Sequence, residues 1–216
     1  MKFVKPLPHS YVQRFKGWRA TRFEENKAWY SRLVKEGQRP RAMVISCCDS
    51  RLHVTSIFGA ESGEFFIHRN IANLVPPFNP DGDIHGTSAT VEYAVTVLKV
   101  SNILVLGHSN CGGVEACLDM CSGNAPELEE ETSFIGRWMD ILEPGYAKVR
   151  ELKDRTEQLG ALEKQGVMVS LTNLMTFPFV EAAVNDGTLA LHGLWHDIGG
   201  GTLETYDVAI DGFREV

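Results

Sequence analysis

The sequence predicts an α/β fold: a mostly parallel central sheet with an antiparallel edge strand, flanking helices and an N-terminal helical arm. Short β-branched, apolar runs alternate with stretches of helical spacing, the pattern of parallel strands joined by right-handed crossovers. Two of those runs end in chemically unusual patches, Cys47-Cys48-Asp49-Ser50-Arg51 and His108-Ser109-Asn110-Cys111, and strand ends are where an open α/β sheet builds its sites. The length of 216 residues and a hydrophobic share of 44% suffice for one substantial core.

Along the chain, Tyr11 to Glu36 repeats aromatic and apolar residues (Phe15, Trp18, Phe23, Trp29, Tyr30, Leu33) among charges, which reads as helix broken near Gly17. Its aromatic faces have no place in a small sheet's core, so the arm, residues 1–37, is expected to pack on another subunit. Residues 38–216 are expected to form the α/β domain that carries both patches, the whole chain making a single domain. Ala42 to Ile45 reads as a buried strand, Phe65 to His68 as a second, and Asn102 to Leu106 as the clearest one. Thr87 to Lys99 has helical spacing, and Gly112-Gly113 opens another helix. A charged helical stretch from about Thr132 to Lys164 precedes a strand at Val167 to Leu171 and a helix near Pro178 to Val184. Leu189 to Trp195 and Thr205 to Ile210, separated by Gly199-Gly200-Gly201, read as a closing hairpin.

The formal charge of −7 argues against nucleic-acid and anionic-membrane partners, which would call for a basic face. No run approaches the roughly 18 apolar residues of a membrane span, and the first twenty residues hold no signal-peptide stretch. Five cysteines, an odd count, fit a reducing compartment better than a disulfide framework. A cytoplasmic protein is expected.

The two patches place two thiols and an imidazole at strand ends. Cys47, His108 and Cys111 suit zinc, and three protein ligands leave a fourth position open for water, the mark of a catalytic site. On an extended segment Cys47, Asp49 and Arg51 point one way and Cys48 the other, so Cys47 is the ligand and Cys48 a buried bystander. Asp49 and Arg51 form a carboxylate–guanidinium pair. Cys117 and Cys121, four apart on a helix, can face one another as packing residues. His53, His68, His85, His192 and His196 lack a ligand partner at useful spacing.

The Cys-x-Asp-Ser-Arg patch at Cys47 to Arg51, the stretch His68-Arg69-Asn70-Ile71-Ala72-Asn73 and the patch His108-x-x-Cys111-Gly112-Gly113 together resemble the β-class carbonic anhydrases. The resemblance is strong from Gln38 to about Val114 and looser beyond. It implies one zinc per chain on Cys47, His108 and Cys111, and hydration of carbon dioxide to bicarbonate and a proton by zinc-bound hydroxide, oriented by Asp49 and Arg51. It further implies that Gln38 donates to the substrate oxygen, that Phe66 and Tyr93 wall the cleft, and that the Gly112 backbone lies beside the metal. The cleft would form between subunits of a homodimer or dimer of dimers. Some relatives carry a proton-shuttling His one turn beyond the cleft tyrosine; that position here is Val97. One branch of the family has a second bicarbonate site using a Trp three residues before the first zinc Cys, an Arg and a Tyr. Here the Trp position is Val44, although Arg69 is kept, so an open site without cooperative bicarbonate inhibition is implied.

Two other readings remain open. Relatives on the same scaffold hydrolyse carbon disulfide or carbonyl sulfide, and a non-catalytic protein with structural zinc or a bicarbonate-sensing role could close its site with Asp49 as fourth ligand. The presence of Arg51 and Gln38 argues against the latter, since a purely structural site has no need of them.

Overall fold

The computed structural model describes residues 3–82 and 85–216, and the chain divides into two compact units, Met1–Gln38 and Arg39–Val216. In the first unit, α1 (His9–Trp18) runs through a wide π turn at Arg19–Phe23 and is followed by α2 (Lys27–Glu36). The expected break near Gly17 is not there: Gly17 lies inside α1, and the interruption comes at Asn26. A glycine within a helix costs about 1 kcal/mol relative to alanine, which weakens a helix without ending it. Trp18 packs on Phe15, Phe23 and Tyr30 at ring-centroid distances of 6.0, 5.5 and 6.1 Å. No residue of these helical segments is buried; Phe15 and Tyr11 remain more than half exposed within this chain.

The second unit is built on a sheet of order β2-β1-β3-β4-β5-β6. Its strands are β1 (Ala42–Cys47), β2 (Phe65–Asn70), β3 (Asn102–His108), β4 (Ala190–His196), β5 (Leu203–Asp207) and β6 (Gly212–Glu215). The first four pair in parallel, β5 and β6 antiparallel at one edge. This is the predicted fold class. All six residues of β1 are buried, as expected of a strand covered on both faces. Met43 and Ile45 enter one apolar cluster together with Ile103 and Val105. Val44 and Leu106 enter another on the opposite face.

The helices divide between these clusters. After the single turn α3 (Val54–Ile57), α4 (Gly86–Glu92) and the π turn Tyr93–Val97 supply Val91, Ala94 and Val95 to the first cluster, with α9 (Pro178–Asn185) supplying Val180. The second receives Val114, Cys117 and Leu118 from α5 (Gly112–Cys121), Met139 from α6 (Phe134–Met139) and Val149 from α7 (Glu143–Val149).

The expected strand at Val167 to Leu171 is instead part of α8 (Arg155–Leu174), a 20-residue helix started by the Asp154 carboxylate, which accepts from the Glu157 amide at 2.8 Å. The supposed helix from Thr132 to Lys164 is several pieces, α6 and α7 followed by a break before α8. A short apolar run does not by itself distinguish strand from buried helix. Leu162, Gly166, Val167, Ser170 and Leu174 are buried at helical spacing. The hairpin of β4 and β5 is present, and β6 extends it beyond what the spacing suggested.

Glycines let α8 lie close to the sheet. A Cβ on Gly107 of β3 would stand 2.8 Å from Val167 Cγ2, and one on Gly193 of β4 would stand 2.9 Å from Leu171 and 3.0 Å from Val167. Gly193→Ala should therefore lower stability in urea unfolding by about 1–3 kcal/mol through overpacking. Val167→Ala in the same chain should recover part of that loss; a Gly193→Ala protein as stable as the parent would show the approach to be slack.

Candidate metal centre

Strand order 2-1-3 makes the junction of β1 and β3 the point where the sheet's winding reverses, and a crevice opens there beyond the strands' carboxyl ends. Cys47 is the last residue of β1 and His108 the last of β3. Asn110 then takes φ 53°, a left-handed conformation that asparagine tolerates well. The chain turns there, so that Cys111 stands at the N-cap of α5. The Cys47, His108 and Cys111 ligand atoms lie within 4.8 Å of one another, all three residues buried. Among the described residues this is the group suited to a metal.

Two details show that these residues fit zinc. The Cys47 and Cys111 sulfurs are 3.8 Å apart, and two Zn–S bonds of about 2.3 Å at a tetrahedral angle span roughly that distance. The His108 ring bonds through Nδ1 to the Ser109 carbonyl at 2.9 Å, so Nδ1 carries the proton and Nε2 keeps its lone pair. Nε2 is buried without a hydrogen-bond partner, a costly state for a polar atom that an ion would relieve. The hydrogen bond from Cys111 brings the Cys47 thiol down to about 4, while that bond and burial push Cys111 up.

Asp49 and Arg51 are engaged as the sequence suggested. Arg51 Nε donates to Asp49 Oδ1 at 2.9 Å and Nη2 to Oδ2 at 2.6 Å, with the Arg51 amide adding a third bond at 2.9 Å. This pairing holds the Asp49 carboxyl well below the usual carboxylate range. Arg51 also donates to the Asn110 carbonyl at 2.9 Å, tying one patch to the other. Asp49 Oδ2 is 4.0 Å from His108 Nε2. Cys48, expected to be buried, is exposed: the strand ends at Cys47, and strand alternation stops with it.

The remaining candidates are placed as follows. Phe66 on β2 and Tyr93 lie with ring centroids 5.8 Å apart, Phe66 half-buried and Tyr93 43% exposed. Gly112 is exposed with open space where a Cβ would be, whereas a Cβ on Gly113 would meet Ile71 at 2.5 Å. The close approach of helix and loop is thus made at Gly113. Gln38 is exposed at the end of the first unit. Cys117 and Cys121 do face each other, sulfurs 3.9 Å apart.

Two residues have supporting roles that the sequence analysis did not assign. Arg69 donates to the main-chain carbonyls of Cys47 (2.8 Å), Asp49 (2.7 Å) and Leu52 (3.0 Å), fixing the loop that carries Asp49. Its signal was present in the His68-Arg69-Asn70 stretch. Glu163 of α8 accepts from the Cys111 amide at 3.0 Å and the Trp195 indole at 3.2 Å, and burial raises its carboxyl. A charge within the apolar stripe of a helix would have flagged it, but the strand reading of Val167 to Leu171 hid the stripe.

The carbonic anhydrase family model matches residues 42–203. The chain is 37% identical over 205 residues to β carbonic anhydrase 3 of Arabidopsis thaliana, covering 91% of this chain and 77% of that one. The chain belongs to the β-carbonic anhydrase family. It is accordingly a carbonate dehydratase, and zinc is the family's metal. The structure of the β-carbonic anhydrase CcaA superimposes with a TM-score of 0.86 at 26% identity, covering 96% of this chain and 98% of that one. A tetrameric β-carbonic anhydrase of Sordaria macrospora gives a TM-score of 0.75 at 28% identity, covering 91% and 95%.

Arg69→Met removes all three carbonyl bonds while keeping an apolar stem. Each lost bond costs about 0.5–1.5 kcal/mol, more for a charged donor. Amide hydrogen exchange in residues 47–52 of the metal-free enzyme should quicken, with the middle of β3 unaffected. Unchanged exchange there would mean that the loop holds its path without the guanidinium.

Proposed function

We propose that this carbonic anhydrase holds one zinc per chain on Cys47, His108 and Cys111, and that Asp49, fixed by Arg51, orients the attack on carbon dioxide. The observation that carries the reading is the buried, unpartnered Nε2 of His108 beside two sulfurs at zinc-ligand spacing. Zinc held there would supply Lewis-acid chemistry that eases loss of a proton from water.

Each residue's part follows from its chemistry. Cys47 and Cys111 as thiolates offset the ion's charge, so an added anionic acceptor is useful at this site. An ionised carboxylate only accepts hydrogen bonds; Asp49 accepts one from the attacking group, which keeps its proton, and so aims that group's lone pair at the carbon. Arg51 keeps Asp49 ionised and, through the Asn110 carbonyl, in place. With both Asp49 oxygens engaged by Arg51, the pairing supports an orienting role over that of a fourth ligand. Gln38 donates to the substrate oxygen on which charge develops. Phe66 and Tyr93 present apolar surface to a small uncharged substrate, and the Gly112 backbone leaves room beside the metal. The proton passes to bulk buffer, Val97 offering no acceptor.

The same geometry bears on regulation. Val44 is fully buried in the core and Arg69 is committed to three carbonyls, which supports a site without a second bicarbonate pocket. The relative from Sordaria macrospora is tetrameric, and we place this enzyme likewise in a homodimer or dimer of dimers. Its N-terminal arm, residues 1–37, would then cover its aromatic face on a neighbouring copy, and Gln38, Phe66 and Tyr93 would serve the partner's zinc. The five free cysteines support a reducing compartment, the cytoplasm.

Serine at Cys47 or Cys111 should abolish zinc binding and hydration together, because an alcohol is a much poorer zinc ligand than a thiolate; full zinc content in either variant would overturn the ligand assignment. Asp49→Asn should retain zinc while stopped-flow hydration falls on the order of 100-fold. Unchanged hydration would reduce the Asp49–Arg51 pair to a salt bridge.

Deleting residues 1–30 should dissociate the assembly by exposing apolar surface, with activity falling alongside in analytical ultracentrifugation and hydration assays. A soluble, fully active monomer would rule out the shared cleft.

A further inference from the structure

Glu163 is the buried acid among the described residues, 3% exposed on α8. Among the described residues no lysine or arginine pairs with it; neighbouring Lys164 turns away to Glu204 at 2.6 Å. Burying a charge is costly unless hydrogen bonds compensate it, and an apolar residue would fill a helix stripe better than an unpaired acid. Both of its partners bear on the metal loop. Oε1 accepts from the amide of Cys111 and Oε2 from Trp195 Nε1; Trp195 on β4 pairs with Gly107, the residue before His108.

We infer that Glu163 is a positioning residue for the zinc site: its buried carboxylate, locked on one side by the Trp195 indole, holds the Cys111 amide and so aims the Cys111 sulfur at the metal. The inference rests on the zinc assignment proposed above. Cys111 is the N-cap of α5, where the backbone N–H has no partner within the helix. Glu163 supplies that partner from outside, setting where the Cα–Cβ bond points and keeping the sulfur 3.8 Å from that of Cys47. The carboxylate cannot rotate away, because its other oxygen is held by a ring anchored in the sheet. Its two bonds therefore brace the His108–Cys111 turn from both ends.

The test uses the chemistry of the two partners, which are both donors. Glu163→Gln leaves one acceptor oxygen for two N–H groups, so either the Cys111 amide or the indole must face an NH2. Zinc affinity, read by competition with a chromophoric chelator, should fall about 10–100-fold, the usual cost of losing an outer-shell partner. The melting midpoint of the metal-free protein should move little. Adding Trp195→Phe removes the competing donor, lets the amide oxygen turn to Cys111 and should restore most of the affinity. Unchanged zinc affinity in Glu163→Gln, or a loss that Trp195→Phe does not relieve, would overturn the inference. If Glu163→Gln does not fold, Trp195→Phe alone reads the same role, as a smaller loss of affinity in the same direction; no change there also overturns it. Failure of the parent protein to bind zinc would count against the ligand assignment, a result distinct from either.

Discussion

The site depends on the pairing of β1 with β3. Each contributes one ligand at its carboxyl end, and their register, Ser46 level with Leu106, decides whether those ends meet. A slip by one residue would carry Met43 and Ile45 to the opposite face. That slip is blocked because β1 is buried on both sides, with Val44 in one apolar cluster and Met43 and Ile45 in the other. The two clusters therefore set the ligand geometry as well as the stability of the sheet.

Around this frame the polar groups act mostly on main chain. Ser109 presents its carbonyl to His108, Arg69 grips three carbonyls, Arg51 reaches the Asn110 carbonyl, and Glu163 takes the Cys111 amide. Asp197 continues the pattern, accepting from the Ser109 hydroxyl and from the amides of Gly199 and Gly200. Ligand direction is thus controlled through backbone path, which is stiffer than contact between side-chain tips.

What could be read in the sequence follows from the range of the forces involved. The strands β1 and β3 were legible because burial on both faces requires unbroken apolar runs, and the site because Cys47, His108 and Cys111 close those runs with metal-binding chemistry. The Asp49–Arg51 pair was legible because it is local. Val167 to Leu171 was misread: those residues are apolar for a helix packed on Gly107 and Gly193, and glycines far along the chain do not mark what approaches them. Gly17 misled through an average preference that a flanking helix outweighs, and Cys48 through an alternation that ends with its strand. Glu163 could have been flagged as a charge in a buried helix stripe, but its partners, Cys111 and Trp195, 52 and 32 residues distant, could not.

Because Arg69 binds carbonyls and not side chains, the loop it fixes is specified without regard to which residues occupy its exposed positions. Cys48 and Ser50 point to solvent, and neither side chain is needed for the path between Cys47 and Leu52. A change at the exposed Cys48 side chain leaves those three bonds in place, whereas a change at Arg69, 17 to 22 residues away, loosens the whole loop at once. Control of the loop is thus decoupled from distance to the metal: an exposed side chain adjoins a ligand without fixing its path, and the residue that fixes the path sits on the neighbouring strand.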